Sequence, residues 1–341
     1  MNALKVLILI PLSIFCFQST AQVEDLMRDK NITWMVESYN DFMTDYVAEE
    51  QLGKKMSRAK LLKFCNPSEV GMDEEFTLQE LILELAKANT LPIYKDDQCT
   101  QPTSYDSASA DIDTVTDIKR YEWRCSLGIG ILTAESFLFF RVRQVLYYDS
   151  VNVQFGLRTL AIAPMRRQYN QIGETVAWKP LCWMKVTDLK EKRNLSDESI
   201  TWAKRLELMD GVSLQSDSVK ILKQMSDSTP VTALFKALTD NPKIPFYNND
   251  NATPRVKLSP QERAIFLTQK ERNVIVDDKL LGEVIKARPI KELRIVQNWY
   301  WNNKKKQLEI ELTAVGPLMD IRSDAGEFLY KIPIFYRRTD D

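Results

Sequence analysis

Apolar residues recur along this chain with two different periods. Leu78, Leu81, Ile82 and Leu85 follow the i, i+3, i+4, i+7 spacing of an amphipathic helix. The segment LEIELTAV at 308–315 instead alternates apolar and other residues, which predicts a half-buried strand. In that strand we expect the alternate residues Glu309 and Glu311 to face solvent.

Both patterns belong to a unit that occurs twice, 153 residues apart. The amphipathic stripe returns at this offset as Val231, Leu234, Phe235 and Leu238. Further matches at the same offset are LPIYKDD 91–97 with IPFYNND 244–250, FRVRQVLYYD 140–149 with LRIVQNWYWN 293–302, LAIAPM 160–165 with TAVGPL 313–318, and PLCW 180–183 with PIFY 333–336. Several separated matches at one offset predict a structural unit present in duplicate.

Helix-capping residues and two tryptophans indicate where the secondary-structure elements of each unit begin. Thr77 with Glu80 forms a capping box before the first helix, and Thr229-Pro230 begins the second. The segments 31–43 and 199–209, which match at an offset of 168, are interpreted as helices anchored to the sheet by Trp34 and Trp202. The predicted fold class is α+β, with two tandem homologous units, each a helical part followed by a small antiparallel β-sheet.

The amino terminus has the features of a cleavable secretory signal. Lys5 precedes an apolar run that begins at Val6, and the small residues Ser19-Thr20-Ala21 favour cleavage before Gln22. The run is too short to span a bilayer comfortably, and no other segment is apolar enough. We therefore predict a signal peptide at 1–21, a first unit at 22–190 and a second at 199–341, with the boundary in the charged stretch 188–199 and a soluble, periplasmic product.

Composition narrows the function. The net charge of −1 gives no field that would favour nucleic acid or a membrane surface, and the chain contains no histidine. Four cysteines follow the predicted cleavage point without any CxxC pair, so a zinc site is not expected. Export permits disulfides, but buried free thiols are favoured and no pairing is assigned for Cys65, Cys99, Cys125 and Cys182.

A search for catalytic, cofactor or metal sites yields none. GIGILTA at 128–134 lacks the third glycine of a dinucleotide loop. Asp111, Asp113 and Glu122 have calcium-loop spacing, but Val115 and Thr116 replace a ligand and the glycine. Another candidate is a set of strand aromatics, which are either core residues or a protein contact surface: Tyr147, Tyr148, Trp299, Tyr300 and Trp301.

Several of these motifs, taken in order, resemble the GldN/PorN family of the type IX secretion system. Thr33-Trp34, FRVRQVLYYD at 140–149, RTLAIAPMRRQYNQIG at 158–173 and KPLCWMKV at 179–186 are each similar to a stretch of that family. The resemblance covers 25–190 well and 199–338 more thinly, and none of its motifs is catalytic.

The resemblance implies a non-enzymatic periplasmic subunit of the type IX secretion and gliding motility complex. It implies association with a ring-forming outer-membrane lipoprotein of the GldK/PorK kind and with other secretion subunits, self-association being a further option. The duplication independently favours an assembly role, because two similar modules offer two similar contact surfaces. The alternatives are a soluble periplasmic ligand-binding or inhibitor module and, third, an enzyme with a carboxylate mechanism.

Overall fold

In the computed structural model, most of the described chain is β-structure built around two mainly antiparallel sheets. The described residues are 18–43, 78–110, 137–169, 175–190, 193–208, 211–213, 219–225, 230–241, 243–247, 272–276, 279–283, 292–323 and 325–339. The glycine-containing segment 128–134, the calcium-like loop of Asp111 to Glu122, Cys65 and Cys125 lie outside them.

The described part of the chain contains four short helices and sixteen strands. The helices are α1 (Gln18–Arg28), α2 (Leu78–Lys87), α3 (Tyr105–Ala110) and α4 (Pro230–Asp240). The strands are β1 (Ile32–Phe42), β2 (Ile93–Tyr94), β3 (Pro102–Thr103), β4 (Phe137–Asp149), β5 (Gln154–Tyr169), β6 (Thr175–Pro180), β7 (Thr187–Leu189), β8 (Ile200–Glu207), β9 (Val212–Ser213), β10 (Val219–Gln224), β11 (Arg272–Val276), β12 (Lys279–Glu283), β13 (Glu292–Asn302), β14 (Gln307–Arg322), β15 (Phe328–Pro333) and β16 (Arg337–Arg338).

Two larger sheets organise these strands. The first sheet has the order β10-β1-β4-β5-β6. The second runs β15-β14-β13-β8, with β7 and β16 beside β14 and β9 beside β13. Two separate two-stranded ribbons, β2-β3 and β11-β12, complete the described strands. The predicted α+β class, with a helical part before a small sheet in each unit, is therefore wrong.

The strand pairing reproduces the 153-residue offset of the sequence. Strands β5 and β6 map onto β14 and β15 with identical bounds. The isolated bridge Tyr94–Trp183 corresponds to the bridge Tyr247–Tyr336. Tyr94 and Tyr247 belong to the repeated segments LPIY and IPFY, so these segments make the same backbone pairing in the two repeats. Register shifts also recur, at residue 160 in β5 and 313 in β14, and at 176 in β6 and 329 in β15. Each β-bulge adds one residue to a strand and bends it, so repeated bulges mean a repeated backbone path.

The two opening segments are strands, not helices, and this is the main reason for the error in fold class. β1 pairs with β4, and β8 pairs with β13, each with a register shift at its second residue, Thr33 or Thr201. Ile32, Met35 and Val36 are all buried, because β1 contains a bulge and is covered on both faces. That spacing imitates the stripe of an amphipathic helix, although the residues lie on a strand buried on two sides.

The helices predicted from the repeated stripe are confirmed. α2 begins at Leu78 and α4 at Pro230. Leu78, Leu81, Ile82 and Leu85 are all buried, as are Val231 and Leu234. Thr77 and Thr229 lie outside the described residues, so their capping role stays a prediction.

One continuous core joins the two sheets. Trp34 and Trp202 occupy it from the opening strands, together with Leu146 of β4 and Trp299 of β13. At its centre the equivalent glutamines meet, with Gln297 Nε2 donating to Gln144 Oε1 over 3.1 Å. This hydrogen bond joins two residues that occupy equivalent positions in the two repeats.

Two strands cross from one repeat to the sheet of the other. β10, which follows the second opening strand, pairs with β1 of the first sheet. β7, which ends the first repeat, runs parallel to β14 of the second, with Asp188 opposite Ile310. Because each sheet includes a strand from the other repeat, the two repeats are structurally interlocked.

Cys99 and Cys182 are free, buried thiols. Burial raises the pKa of each thiol to about 12, which keeps both protonated and unreactive at neutral pH.

Candidate interaction surface

The strand aromatics do not form a contact surface. Trp299, Tyr300 and Trp301 are all at most 1 % exposed, although they alternate between the two faces of β13. Trp299 packs against Phe42 at 5.3 Å between ring centroids and against Phe140. Both faces of the strand are therefore covered, and the core interpretation of these aromatics is the right one.

The two glutamates expected in solvent are also buried. Glu309 is 0 % and Glu311 7 % exposed, because described residues that follow β7 lie over the outer face of the second sheet, where Arg193 bonds to Glu309. Leu189 of β7 and Leu195 pack with Tyr300. Residues 193–199, the described residues of the charged stretch beyond β7, thus cover the sheet, and the element that follows them is the strand β8.

Glu309 is the centre of a buried ion-pair network. Arg193 donates two hydrogen bonds to its carboxylate, both of 2.7 Å, and Lys305 and Asn302 donate to Oε1 over 3.0 and 3.2 Å. Burial opposes ionisation of Glu309, but the hydrogen bonds and charges of Arg193 and Lys305 outweigh it, so its pKa is lowered. This carboxylate is saturated by its partners and serves to fasten the covering segment.

Glu311 is also held by hydrogen bonds from neighbouring side chains. Tyr300 Oη donates to Glu311 Oε2 over 2.5 Å, and Asn298 Nδ2 donates to it over 3.2 Å. Burial and the neighbouring carboxylate raise the pKa of Tyr300. The pair of glutamates therefore acts as a structural polar layer of the outer face.

The first sheet carries its own polar cluster on the outer face. Arg143 donates to Glu37 over 2.6 Å and to the carbonyl oxygen of Asp97 over 3.2 Å. Tyr39 donates a hydrogen bond to the Asp97 carboxylate. Partial burial and this bond raise the pKa of Tyr39 to about 12. The cluster ties the loop after β2 to the sheet.

Asp188 is a buried carboxylate with weaker compensation. Its two oxygens accept the backbone N–H of Thr159 at 3.0 and 2.8 Å, beside the bulge of β5. Arg158 lies 3.7 Å away. Burial dominates and raises the pKa of Asp188 to about 6.

Four of the nine exposed large apolar residues in the described part of the chain lie on two edge strands. On β15, the outer strand of the second sheet, Phe328, Leu329 and Tyr330 are 52 %, 45 % and 39 % exposed. The register shift at Leu329 explains why three consecutive residues are exposed, because a bulge re-aims side chains that would otherwise alternate. We call these three residues the β15 edge.

The second exposed edge belongs to the first sheet. On β10, Ile221 is exposed, and Met225 directly after the strand is exposed as well. Met27 of α1 is also exposed, and its carbonyl oxygen accepts a hydrogen bond of 2.8 Å from Lys223 Nζ of β10. We call Ile221, Met225 and Met27 the β10 edge.

Edge strands with exposed apolar side chains are sites for strand addition. The outer side of such a strand presents backbone N–H and C=O groups that an incoming strand can pair. Large exposed apolar patches on a protein surface mark interaction sites. The candidate functional site is therefore this pair of edges, which present backbone groups and apolar side chains that another chain could contact.

Sequence reasoning missed both edges, although one signal was present. At the 153-residue offset Phe328-Leu329-Tyr330 corresponds to Thr175-Val176-Ala177. A change from small to large apolar side chains between equivalent strands indicates a surface that one repeat has and the other lacks.

Among the described residues no group of three or more histidine, cysteine, aspartate or glutamate side chains could hold a metal ion. In that same part of the chain no helix has the length and apolarity required to cross a membrane.

Comparison with known proteins supports the repeat. The model of one protein family, described as gliding motility associated protein GldN, matches residues 61–215 and again residues 195–338. The two matched regions together extend over most of the chain and follow the two repeats. A search of curated proteins finds no match.

Proposed function

The chain belongs to the GldN family, and from that premise we propose that it is a non-enzymatic assembly subunit of the type IX secretion and gliding motility machinery. Membership itself makes it a component of that machinery. The finer proposals are its assembly role, its periplasmic location after removal of residues 1–21, and its association with an outer-membrane lipoprotein of the GldK/PorK kind.

The observation that carries the assembly role is the pair of exposed apolar edges on one interlocked body. The β15 and β10 edges lie on different sheets, and the shared core links those sheets. A subunit that must hold other proteins in fixed positions needs separate contact surfaces on a rigid frame. The buried carboxylates support the same role, because Glu309 and Glu311 are committed to neighbouring side chains.

The amino-terminal helix is consistent with the proposed cleavage. The cut before Gln22 falls within α1. Val23 and Leu26, beyond the cut, pack with Met35 and Val145 on the outer face of the first sheet. The residues retained after cleavage thus include side chains that hold the remaining part of α1 to the sheet.

A crosslinking pull-down tests the proposal. Cells expressing the chain with a carboxy-terminal tag are treated with a short crosslinker, and envelope extracts are purified and analysed by mass spectrometry. We expect recovery of the lipoprotein and other secretion subunits, and the tagged chain should start at Gln22. A tagged unrelated periplasmic protein is the control. Recovery of a lone enzyme, or of none of the secretion subunits, would contradict the assembly role.

A further inference from the structure

We propose that Gln22, the first residue after the proposed cut, is a covalent modification site, at which the new amino terminus closes on the glutamine side chain to form a pyroglutamyl ring. This site rests on the cleavage in the proposed function and adds the chemical state of the end that the cut creates. Three features support it: the residue type at position 22, the packing of the next residue, and the charges at the two ends of α1.

The residue type at position 22 permits the reaction. After the cut, the unprotonated α-amine of Gln22 attacks the side-chain amide carbon Cδ and forms a C–N bond. The bond from Cδ to the side-chain nitrogen breaks, and that nitrogen takes a proton from the amine and leaves as ammonia. The product is an uncharged five-membered lactam, and no oxidant, reductant or second substrate is needed. Free α-amines have pKa values of about 8, so a reactive fraction is present at neutral pH.

The residue next to the new end is part of the packed structure. Val23 and Leu26 pack with Met35 and Val145 on the outer face of the first sheet. An aminopeptidase that removed Gln22 and then Val23 would take away one of the α1 side chains that hold the helix to that face. A lactam presents no free amine for such an enzyme to bind. Cyclisation of Gln22 therefore protects the contact made by Val23.

The carboxyl end of α1 already has charges that suit a helix. Lys223 Nζ of β10 donates to the carbonyl oxygens of Met27 and Asp29 over 2.8 and 2.6 Å. Arg28 in the last turn is paired with Glu24 at 3.2 Å. A cation at the carboxyl end of a helix interacts favourably with the last carbonyl groups and with the helix dipole. This end of α1 is therefore well satisfied.

The amino end of α1 has the opposite relation to the dipole once the signal is removed. In an α-helix the carbonyl oxygens of residues 18–21 accept the N–H groups of residues 22–25, and the cut removes those acceptors. It also leaves a protonated α-amine at the positive end of the dipole, where a cation is unfavourable. The lactam replaces this ammonium with a neutral amide. The modified end should therefore keep the rest of α1 helical better than a free amine does.

Mass spectrometry of the processed chain tests the proposal. The full chain with a carboxy-terminal tag is purified from envelope extracts, and its free amines are dimethylated with an isotopic reagent before digestion with trypsin. Digestion should release QVEDLMR, residues 22–28. We expect this peptide to be unlabelled and lighter than the free-amine form by the mass of one ammonia. Isotopically marked synthetic QVEDLMR, added before labelling, is the control for cyclisation during handling.

The start residue and the state of its amine separate this proposal from the proposed cleavage. A chain that starts at Gln22 and carries a labelled amine would overturn the pyroglutamyl site and leave the cleavage intact. A chain that starts at another residue would contradict the cleavage itself, and the modification site with it.

Gln22→Ala is the matched control, because alanine keeps a small helix-compatible residue at the cut but cannot cyclise. Both purified proteins are incubated with a broad-specificity aminopeptidase, and their intact masses are followed over time. We expect the wild-type protein to lose no residues and Gln22→Ala to lose residue 22 and then Val23. Trimming of the wild-type protein would overturn the proposal, and resistance of Gln22→Ala would show that Val23 is protected without the lactam.

Discussion

Strands β6 and β15 occupy the same place in the two repeats but present different surfaces. Both are six residues long, share a bulge and end in proline. On β6, Trp178 turns back onto Phe139 of its own sheet, with 4.8 Å between the ring centroids. On β15 the equivalent position is Lys331, and the large apolar residues Phe328 to Tyr330 are exposed instead. The same strand thus carries a tryptophan packed on its own sheet in one repeat and three exposed apolar side chains in the other.

The same contrast extends over the outer faces of the sheets. Tyr147 of the first sheet lies over Gly156, where an added Cβ would approach its ring to 2.0 Å. At the equivalent positions the second sheet has Tyr300 and the buried Glu309. The inner faces, by contrast, keep Gln144 and Gln297 in contact. Residues at the shared core must fit each other, whereas outer residues are free to diverge toward separate roles.

A cavity in the inner face of either sheet should therefore destabilise both sheets, which should unfold in one transition. Trp299→Ala should lower the free energy of unfolding by about 3–5 kcal/mol, and Leu146→Ala at the equivalent position by about 2–5 kcal/mol, because each leaves a cavity in the common core. Urea unfolding followed by far-ultraviolet circular dichroism and by tryptophan fluorescence measures both. Each variant should show one transition that coincides in the two signals. Two separate transitions would mean that the sheets are independent.

The outer face of the second sheet should depend on one carboxylate that the first sheet lacks. Glu309→Gln removes the charge that holds Arg193 and Lys305, and breaking a buried pair costs about 3–5 kcal/mol. Both cationic side chains reach solvent in part, so we expect about 2 kcal/mol in urea unfolding. Lys305→Ala is the control and should cost less than 1 kcal/mol, roughly as for an exposed pair. Equal effects of the two changes would refute the central role of Glu309.

The first repeat should show the opposite electrostatic behaviour at Asp188. Its pKa is raised to about 6 in the folded protein, so the stability linked to its protonation is complete below the unfolded pKa of about 3.9 and is lost as the pH rises to about 6. The loss is on the order of 2 kcal/mol. Urea midpoints measured from pH 4 to 7 should fall less steeply in Asp188→Asn than in the wild type. If the variant and the wild type had the same pH profile, the pKa of Asp188 would not be raised in the folded protein.

The smallest effect on stability should come from the β15 edge. Phe328→Thr, Leu329→Val and Tyr330→Ala alter side chains that are already exposed, so unfolding of the monomer should change by about 0.5 kcal/mol or less. Urea unfolding at low protein concentration measures this. A loss of several kcal/mol would mean that the β15 edge is part of the fold and not a surface kept for association.

Patterns along the chain were sufficient to predict the duplication and those elements whose apolar residues follow a regular period. The 153-residue offset, the helices that begin at Leu78 and Pro230, and the antiparallel strands around Leu308 were all predicted from spacing. The family resemblance, based on motif order, is confirmed by the matched regions. Such features are local or compare the chain with itself, so no knowledge of distant contacts is needed.

Tertiary structure decided the features that depend on what covers each residue. The segment at 31–43 has an apolar spacing that suits a helix, and only pairing with β4 and β10 makes it a strand. Glu309 alternates like a solvent-facing residue, and only the residues after β7 that lie over it bury it. Phe328 resembles a core residue until the order of strands leaves it at an edge. A side chain's burial is determined by partners far away in sequence, and a single sequence does not reveal which partners those are.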